Sequence, residues 1–445
     1  MQGIALRLLL NLSVDGDNGW VGTLDSPDQG ATGLAISEIT FDDRTRTLSL
    51  ALPNIGAHYR GTLDDAGVLR GVWVQGAELP LDFVRVEGET GLKRPQEPTP
   101  PFPYTVEAVR FGGPGGEHTL AGTLTLPEGD GPFPAAILIT GSGPQDRDET
   151  LFGHKPFWVI ADDLTRRGVA VLRYDDRGVG GSTGDFAGAT HLDFAEDARA
   201  AATYLRSDPR IDKDRLGLIG HSEGGLIAPL VVANDQAIAF VVLLAAPGVP
   251  LDHLLITQFE RQLYTEGIQA TDPRFVASIT DLRAVFDLLL SASNQEEIAK
   301  VRDEVHKRFT RIRLRSFPGE TSTKLSSVDA AAVEQQVDTC LGAWFRTLLA
   351  HDPGPALRAL DVPVLALSGS LDVQVDPQAN PSAMEDRFAE SGHPDATVTV
   401  LPGLNHLLQP ATTGQVAEYG QIETTVDPAA LEAIGAWLET RFVNE

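Results

Sequence analysis

The sequence predicts an α/β protein: an open, mostly parallel sheet with helices on both faces, interrupted by a helical cap insertion and preceded by a small antiparallel, barrel-like β domain. Three observations predict it. After residue 103, near-continuous Val, Ile and Leu runs alternate with helical periodicities, as strands covered on both faces require. That alternation stops after Pro250 and resumes near Pro353, with helical periodicity alone between them. Before residue 93 the pattern is period two, punctuated by Asp-Gly, Asp-Asn-Gly and Asp-Ala-Gly turns.

Within residues 1–92, alternating stretches at 4–12, 19–24, 47–52, 58–63, 68–74 and 79–86 read as an antiparallel sheet, curled or closed as a barrel. Residues 93–103 hold five prolines in nine positions from Pro95 to Pro103, the composition of a stiff, extended linker. The first part of the core, 104–250, starts with two hairpin-like strands at 104–111 and 118–126. Buried strands follow at 135–140, 169–174, 216–220 and 238–245. The helix opening at Thr190 has a capping box to Asp193 and sets Phe194, Ala198, Ala201 and Leu205 on one face. Residues 251–352 form the cap, with apolar stripes from Phe275 to Leu289, from Ile298 to Val305 and from Val333 to Leu348. An insertion at this point sits over a binding site. The second part of the core, 353–445, supplies strands at 362–367 and 396–401 and a last helix from Asp427-Pro428 through Phe442.

Composition excludes several classes of function. At 445 residues, 42% of them apolar, the chain has ample material for a core, and no apolar run approaches the roughly 20 residues of a membrane span. A formal charge of -27 repels phosphate backbones and anionic lipid, so neither nucleic acid nor membrane is an expected partner. The single Cys340 excludes an intramolecular disulfide and a thiolate metal cluster, and no cofactor or metal is implied. The first residues lack a basic flank and a small-residue cleavage site, which reads as cytoplasmic for the chain as given, or as secreted or periplasmic if a leader was trimmed.

The chemistry is carried by Gly220-His221-Ser222-Glu223-Gly224, where an apolar strand turns sharply into a helix. Small residues flank the serine because side chains there would collide as the backbone reverses, and Ser222 is pushed out as a nucleophile. The same spacing recurs at Gly180-Gly181-Ser182-Thr183-Gly184, but a polar turn precedes it and no helix follows, so Ser182 is a loop serine. A serine hydroxyl needs a histidine to take its proton and a carboxylate to fix the tautomer, here in the chain order serine, acid, histidine. His406 follows the last strand and fits the base; His393 precedes that strand and reads as an exposed turn residue. Asp372 lies just past the preceding strand and fits the acid, whereas Asp376, before Pro377, suits helix capping.

An oxyanion needs two amides, one from Glu223 and one from Ser142 or Gly143 in the glycine loop after the strand at 135–140. The charged run Gln145-Asp146-Arg147-Asp148-Glu149 reads as a salt-bridged surface loop, with contact to a polar substrate as the alternative, and Asp175-Asp176-Arg177-Gly178 as a loop fixed by ion pairing, with direct substrate contact as the alternative. Gly112 to Gly116 precedes a strand rather than a helix and is not a phosphate loop.

These pieces together resemble the α/β-hydrolase carboxylesterases, specifically the EstD-like bacterial esterases with a β-rich domain ahead of the hydrolase core. The resemblance lies in residues 139–149, 172–180, 220–225 and 401–406, and extends to 23–30 and 418–420. It implies Ser222 as nucleophile, Asp372 as acid and His406 as base, acting on small-molecule esters of short acyl groups. Asp376 departs from it, since such families often carry a second proline there. The alternatives are a peptidase or amidase using the same triad, or a hydrolase-fold binding protein without catalysis, for which a missing triad member is the sign. The role of the amino-terminal domain is open among binding, homodimerisation and covering the core.

Overall fold

A computed structural model describes residues 7–14, 19–26, 31–75, 77–86, 93–316 and 324–443. The chain divides into two compact units, the first comprising Met1–Pro95 with Leu151–His154 and Val416–Glu423. In that unit the period-two pattern becomes two antiparallel sheets. Strands β1 (Leu9–Val14), β2 (Trp20–Ser26) and β3 (Ala31–Ala35) form one. Strands β4 (Glu38–Asp42), β5 (Thr47–Leu52), β6 (Ala57–Leu63), β7 (Val68–Gln75) and β8 (Ala77–Val84) form the other, a meander in sequence order. Leu24, Leu48, Leu50, Leu52, Tyr59 and Trp73 meet in one core. The buried Tyr59 hydroxyl donates to the carbonyl of Leu69 at 3.0 Å, so its polar end is satisfied. Gly61 and Gly71 pair across β6 and β7; a Cβ on Gly61 would strike the tyrosine ring, and one on Gly71 the Arg60 carbonyl and the Tyr59 hydroxyl. Among the described residues the ladders do not join into one closed ring, and the expected strand at 4–12 is described only from residue 7. The Arg94 guanidinium, from the proline-rich segment, donates to carbonyls of Phe152, Gly153, Gly420 and Ile422, all in this unit.

In the second unit the aliphatic runs become an eight-stranded sheet. Its strands are β9 (Thr105–Gly112), β10 (Thr119–Leu126), β11 (Phe133–Ile139), β12 (Ala170–Tyr174), β13 (Ile211–His221), β14 (Val241–Leu244), β15 (Val364–Gly369) and β16 (Ala396–Leu401). The order is β16-β15-β14-β13-β11-β12-β10-β9, antiparallel at β9 and β10 and parallel elsewhere. From β11 the chain steps one way to β12 and then back across to β13. The strand order therefore reverses beside β11, and it is at the carboxyl ends of such strands, here β11 and β13, that open α/β sheets place their binding crevice.

Helices α1 (Pro156–Arg166), α2 (His191–Ser207) and α3 (Gly224–Asn234) follow β11, β12 and β13. The two faces are separate cores. Ile137, Leu172, Leu218 and Leu243 pack with Ala198, Ala201 and Leu205 of α2 and Val231 of α3. Leu138, Val171, Ile219 and Val242 pack on the other side with Ile160 and Leu164 of α1. Thr190 opens α2 as expected, its amide donating to the Asp193 carboxylate at 2.8 Å.

Between β14 and β15 lie α4 (Leu251–Thr265), α5 (Pro273–Ser291), α6 (Gln295–Arg315), α7 (Ser327–Leu341) and α8 (Ala343–Leu349). Side-chain oxygens of Asp272, Asn294 and Ser326 cap α5, α6 and α7. Asp281 of α5 accepts from Arg308, Arg311 and Arg315, which fastens α5 to α6. The apolar stripe from Val333 to Leu348 is not one helix: the backbone turns out of helical geometry at Gly342, with ψ 152°, and α8 starts afresh.

The core closes with α9 (Gly354–Ala359) and α10 (Ala379–Ser391), and the chain passes through α11 (Val416–Tyr419), part of the first unit, to α12 (Pro428–Leu438). Asp427 caps α12 through the Ala429 amide. The regular helix stops at Leu438, short of the expected Phe442, and Glu439–Val443 form a wider turn.

Candidate active site

β13 ends at His221, Ser222 takes φ +52°, and α3 starts two residues later. The left-handed backbone is costly for a serine and is held by its surroundings. A Cβ on Gly220 would run into the Gly224 carbonyl, and one on Gly224 into the carbonyl of Ile139 on the neighbouring strand. Both glycines are therefore demanded by close approach of backbone to backbone.

The structure brings Ser222, Asp372 and His406 together. His406 Nε2 is 3.1 Å from Ser222 Oγ, and its Nδ1 is 2.8 Å from Asp372 Oδ2. Asp372 is 1% exposed, and its Oδ1 accepts the amides of Gln374 and Val375, each at 2.8 Å. His406 is buried while Ser222 keeps part of its surface open. Asp376 accepts the amides of Gln378 and Ala379, the helix-start role expected of it. His393 stays apart from the serine; it is half-buried rather than exposed, because its ring packs on Phe388. Ser182 is buried, its hydroxyl donating to the Asp175 carbonyl and accepting the Ala121 amide, so it is structural.

Glycine loop 141–143 abuts the serine: a Cβ built on Gly141 would stand 3.2 Å from Ser222 Cβ. Gly143 has φ +97°. The amides of Glu223, Ser142 and Gly143 donate to no group among the described residues, whereas the Gly141 amide is held by Glu149 Oε1 at 2.7 Å. These three amides stay unengaged among the described residues, one at the first turn of α3 and two in the loop whose Gly141 abuts the serine.

A model of the alpha/beta hydrolase family matches residues 136–418. The chain belongs to the alpha/beta hydrolase family. It is 26% identical over 322 residues to esterase EstD of Thermotoga maritima, a match covering 72% of this chain and 65% of that protein. It is 25% identical over 187 residues to acyl-coenzyme A thioesterase 5 of Mus musculus, covering 41% of this chain and 40% of the other. The matches thus span less than two thirds of either relative's length. Among solved structures, the Pyrococcus furiosus esterase Pf2001 aligns at TM-score 0.45 and 15% identity, over 80% of this chain and 100% of that one. Est1E of Butyrivibrio proteoclasticus with ferulic acid aligns at 0.44 and 16%, over 76% and 100%.

In this alpha/beta hydrolase, several groups around the serine were not legible in the sequence. The run from Gln145 to Glu149 is not a surface loop: Gln145 and Glu149 are buried, Arg147 forks onto Asp175, and Asp148 pairs with Arg173. Glu149 Oε1 also lies 2.9 Å from Nδ1 of His221, whose Nε2 is 3.0 Å from the His406 carbonyl. Asp176 accepts from the Thr140 hydroxyl and the Gln145 amide, each at 2.9 Å, and burial pushes its pKa up to about 7. The signal available for these groups was His221 itself, a polar ring at the end of a buried strand that had to find partners.

The helical insertion reaches the same loops. Arg261 of α4 donates to the Asp372 carbonyl at 2.7 Å and pairs with Asp376, and Gln258 donates to the Gln374 carbonyl. From α8, Trp344 Nε1 donates to the Glu223 carboxylate at 2.8 Å. Burial raises the pKa of that carboxyl, against the hydrogen bonding of Ser142 and Trp344.

Proposed function

We propose that the protein is a serine carboxylesterase that passes the acyl group of small esters to Ser222 and then to water. The observation that supports it most is the unbroken chain from Ser222 Oγ through the His406 ring to Asp372, at 3.1 and 2.8 Å. Ser222 Oγ bonds to the acyl carbon as its proton passes to His406 Nε2. The resulting oxyanion faces the amides of Glu223 and of Ser142 or Gly143. His406 Nε2 then gives its proton to the alcohol oxygen as the ester C–O bond breaks, leaving acyl-Ser222. Water repeats the sequence, losing its proton to His406 and releasing the acid. Asp372 keeps Nδ1 protonated throughout.

Similarity to the Thermotoga esterase supports an oxygen ester as the substrate class. The mouse relative acts, by its name, on acyl-coenzyme A; a chain of net charge -27 is poorly suited to a carrier rich in phosphate. Ser222→Ala should reduce p-nitrophenyl acetate turnover by on the order of a millionfold. A fluorophosphonate probe should label wild type at Ser222 and leave that variant unlabelled. Full activity in Ser222→Ala would overturn the proposal. Anilide turnover equal to that of the matched ester would favour an amidase.

A further inference from the structure

The mechanism above leaves unused a buried pair of titratable groups beneath the serine. Glu149, 1% exposed and held at φ +51°, turns its carboxylate inward although it ends a run of charged residues. Oε1 accepts the Gly141 amide at 2.7 Å and lies 2.9 Å from His221 Nδ1. His221 Nε2 lies 3.0 Å from the His406 carbonyl oxygen, and the two imidazole centroids are 4.9 Å apart.

The donors can be assigned by elimination. A carbonyl only accepts, so His221 Nε2 carries a proton and donates to His406. Nδ1 and Oε1 lie 2.9 Å apart, where two bare lone pairs would repel, so one further proton is shared between them. Burial opposes a charged His221, but the Glu149 charge, its hydrogen bond and the His406 carbonyl outweigh it, and the imidazole pKa is raised. The pair thus forms one continuous connection between the backbone at residue 141 and the backbone at residue 406, passing under the nucleophile.

We propose that Glu149 and His221 are positioning residues: a bridge that holds the oxyanion loop and the base His406 in register around Ser222. The inference rests on the serine hydrolase reading above. The Gly141 amide is the handle on one side, since the candidate oxyanion donors Ser142 and Gly143 come next in the chain. The His406 carbonyl is the handle on the other. A small displacement between oxyanion donors and base affects the transition state far more than ester binding, and a shift of about 1 Å can cost about 100-fold in rate.

Glu149→Leu and His221→Phe break the bridge from opposite ends while keeping most of the buried volume. In Glu149→Gln the amide oxygen can take the place of Oε1 and keep the Gly141 amide, but the same atom cannot also donate to Nδ1, so the link to His221 is weakened. Turnover of p-nitrophenyl acetate should be normalised to sites labelled to completion by a fluorophosphonate, so that misfolded protein is not counted. We expect kcat per labelled site to fall roughly 10- to 100-fold in the Leu and Phe variants with KM within about twofold. The Gln variant, which keeps the Gly141 half of the bridge, should lie between wild type and the Leu variant, and the Leu/Phe double variant should be no slower than the slower single one, because one bridge breaks only once. Undiminished kcat in both singles, a loss confined to KM, or effects that multiply in the double variant would overturn the bridge. Wild type that stays unlabelled at Ser222 would instead overturn the serine hydrolase reading, a result distinct from labelled protein with unaffected variants.

Discussion

The two oxygens of Asp372 are not equivalent. Oδ1 accepts two backbone amides, from Gln374 and Val375, and Oδ2 faces His406 Nδ1. In Asp372→Asn the amide oxygen must stay on the Oδ1 side, where two donors point at it, so the NH2 turns to His406. It then donates to Nδ1, the imidazole proton moves to Nε2, and the ring can no longer take the serine proton. The geometry survives while the tautomer is wrong. In serine proteases that change costs about 10,000-fold in kcat. We expect a loss of that order on p-nitrophenyl acetate, with an unchanged circular dichroism spectrum. A loss under tenfold would mean that Asp372 does not set the tautomer.

At the scale of elements, the loop from Thr140 to Gln145 is a short segment gripped by two acids, the buried Glu149 and the half-buried Asp176. Glu149 takes the Gly141 amide, and Asp176 takes the Thr140 hydroxyl and the Gln145 amide. Asp176 carries a pH consequence, because burial raises its pKa from 3.8 to about 7. Between these values the unfolded chain releases the proton that the folded chain retains. Stability from this group is therefore full below about pH 4, declines as pH rises, and is lost above about pH 7, a swing of roughly 4 kcal/mol. Acidic self-repulsion at net charge -27 also grows with pH, so wild type alone does not isolate the effect. Asp176→Asn does, since Asn can accept from Gln145 and donate to Thr140 without ionising. The thermal midpoint should fall between pH 5 and pH 8 in wild type and fall markedly less in the variant. Parallel curves would show that Asp176 ionises freely in the folded protein.

For the molecule as a whole, the sequence was most readable where neighbours in the chain are also neighbours in space. Gly220 to Gly224 announces its turn because the colliding atoms lie within that segment and one adjacent strand, and Asp372 and His406 follow from strand order. Glu149 was unreadable because its partner His221 is 72 positions away and a charged run looks the same whether it faces solvent or a buried imidazole. The break at Gly342 was missed because the apolar stripe of α7 continues in phase into α8. Net charge belongs only to this largest scale, and it makes a prediction of its own. At -27 the hydrolase should repel anionic esters over a range set by the Debye length, roughly 30 Å at 0.01 M salt and 8 Å at 0.15 M. An aryl ester bearing a carboxylate on its acyl chain should therefore gain about three- to tenfold in kcat/KM across that range of salt. A neutral ester of the same length should barely change, and a quaternary ammonium ester should lose efficiency. If the ratio of anionic to neutral ester turnover is indifferent to salt, the acidic residues lie too far from the serine for their field to reach an arriving substrate.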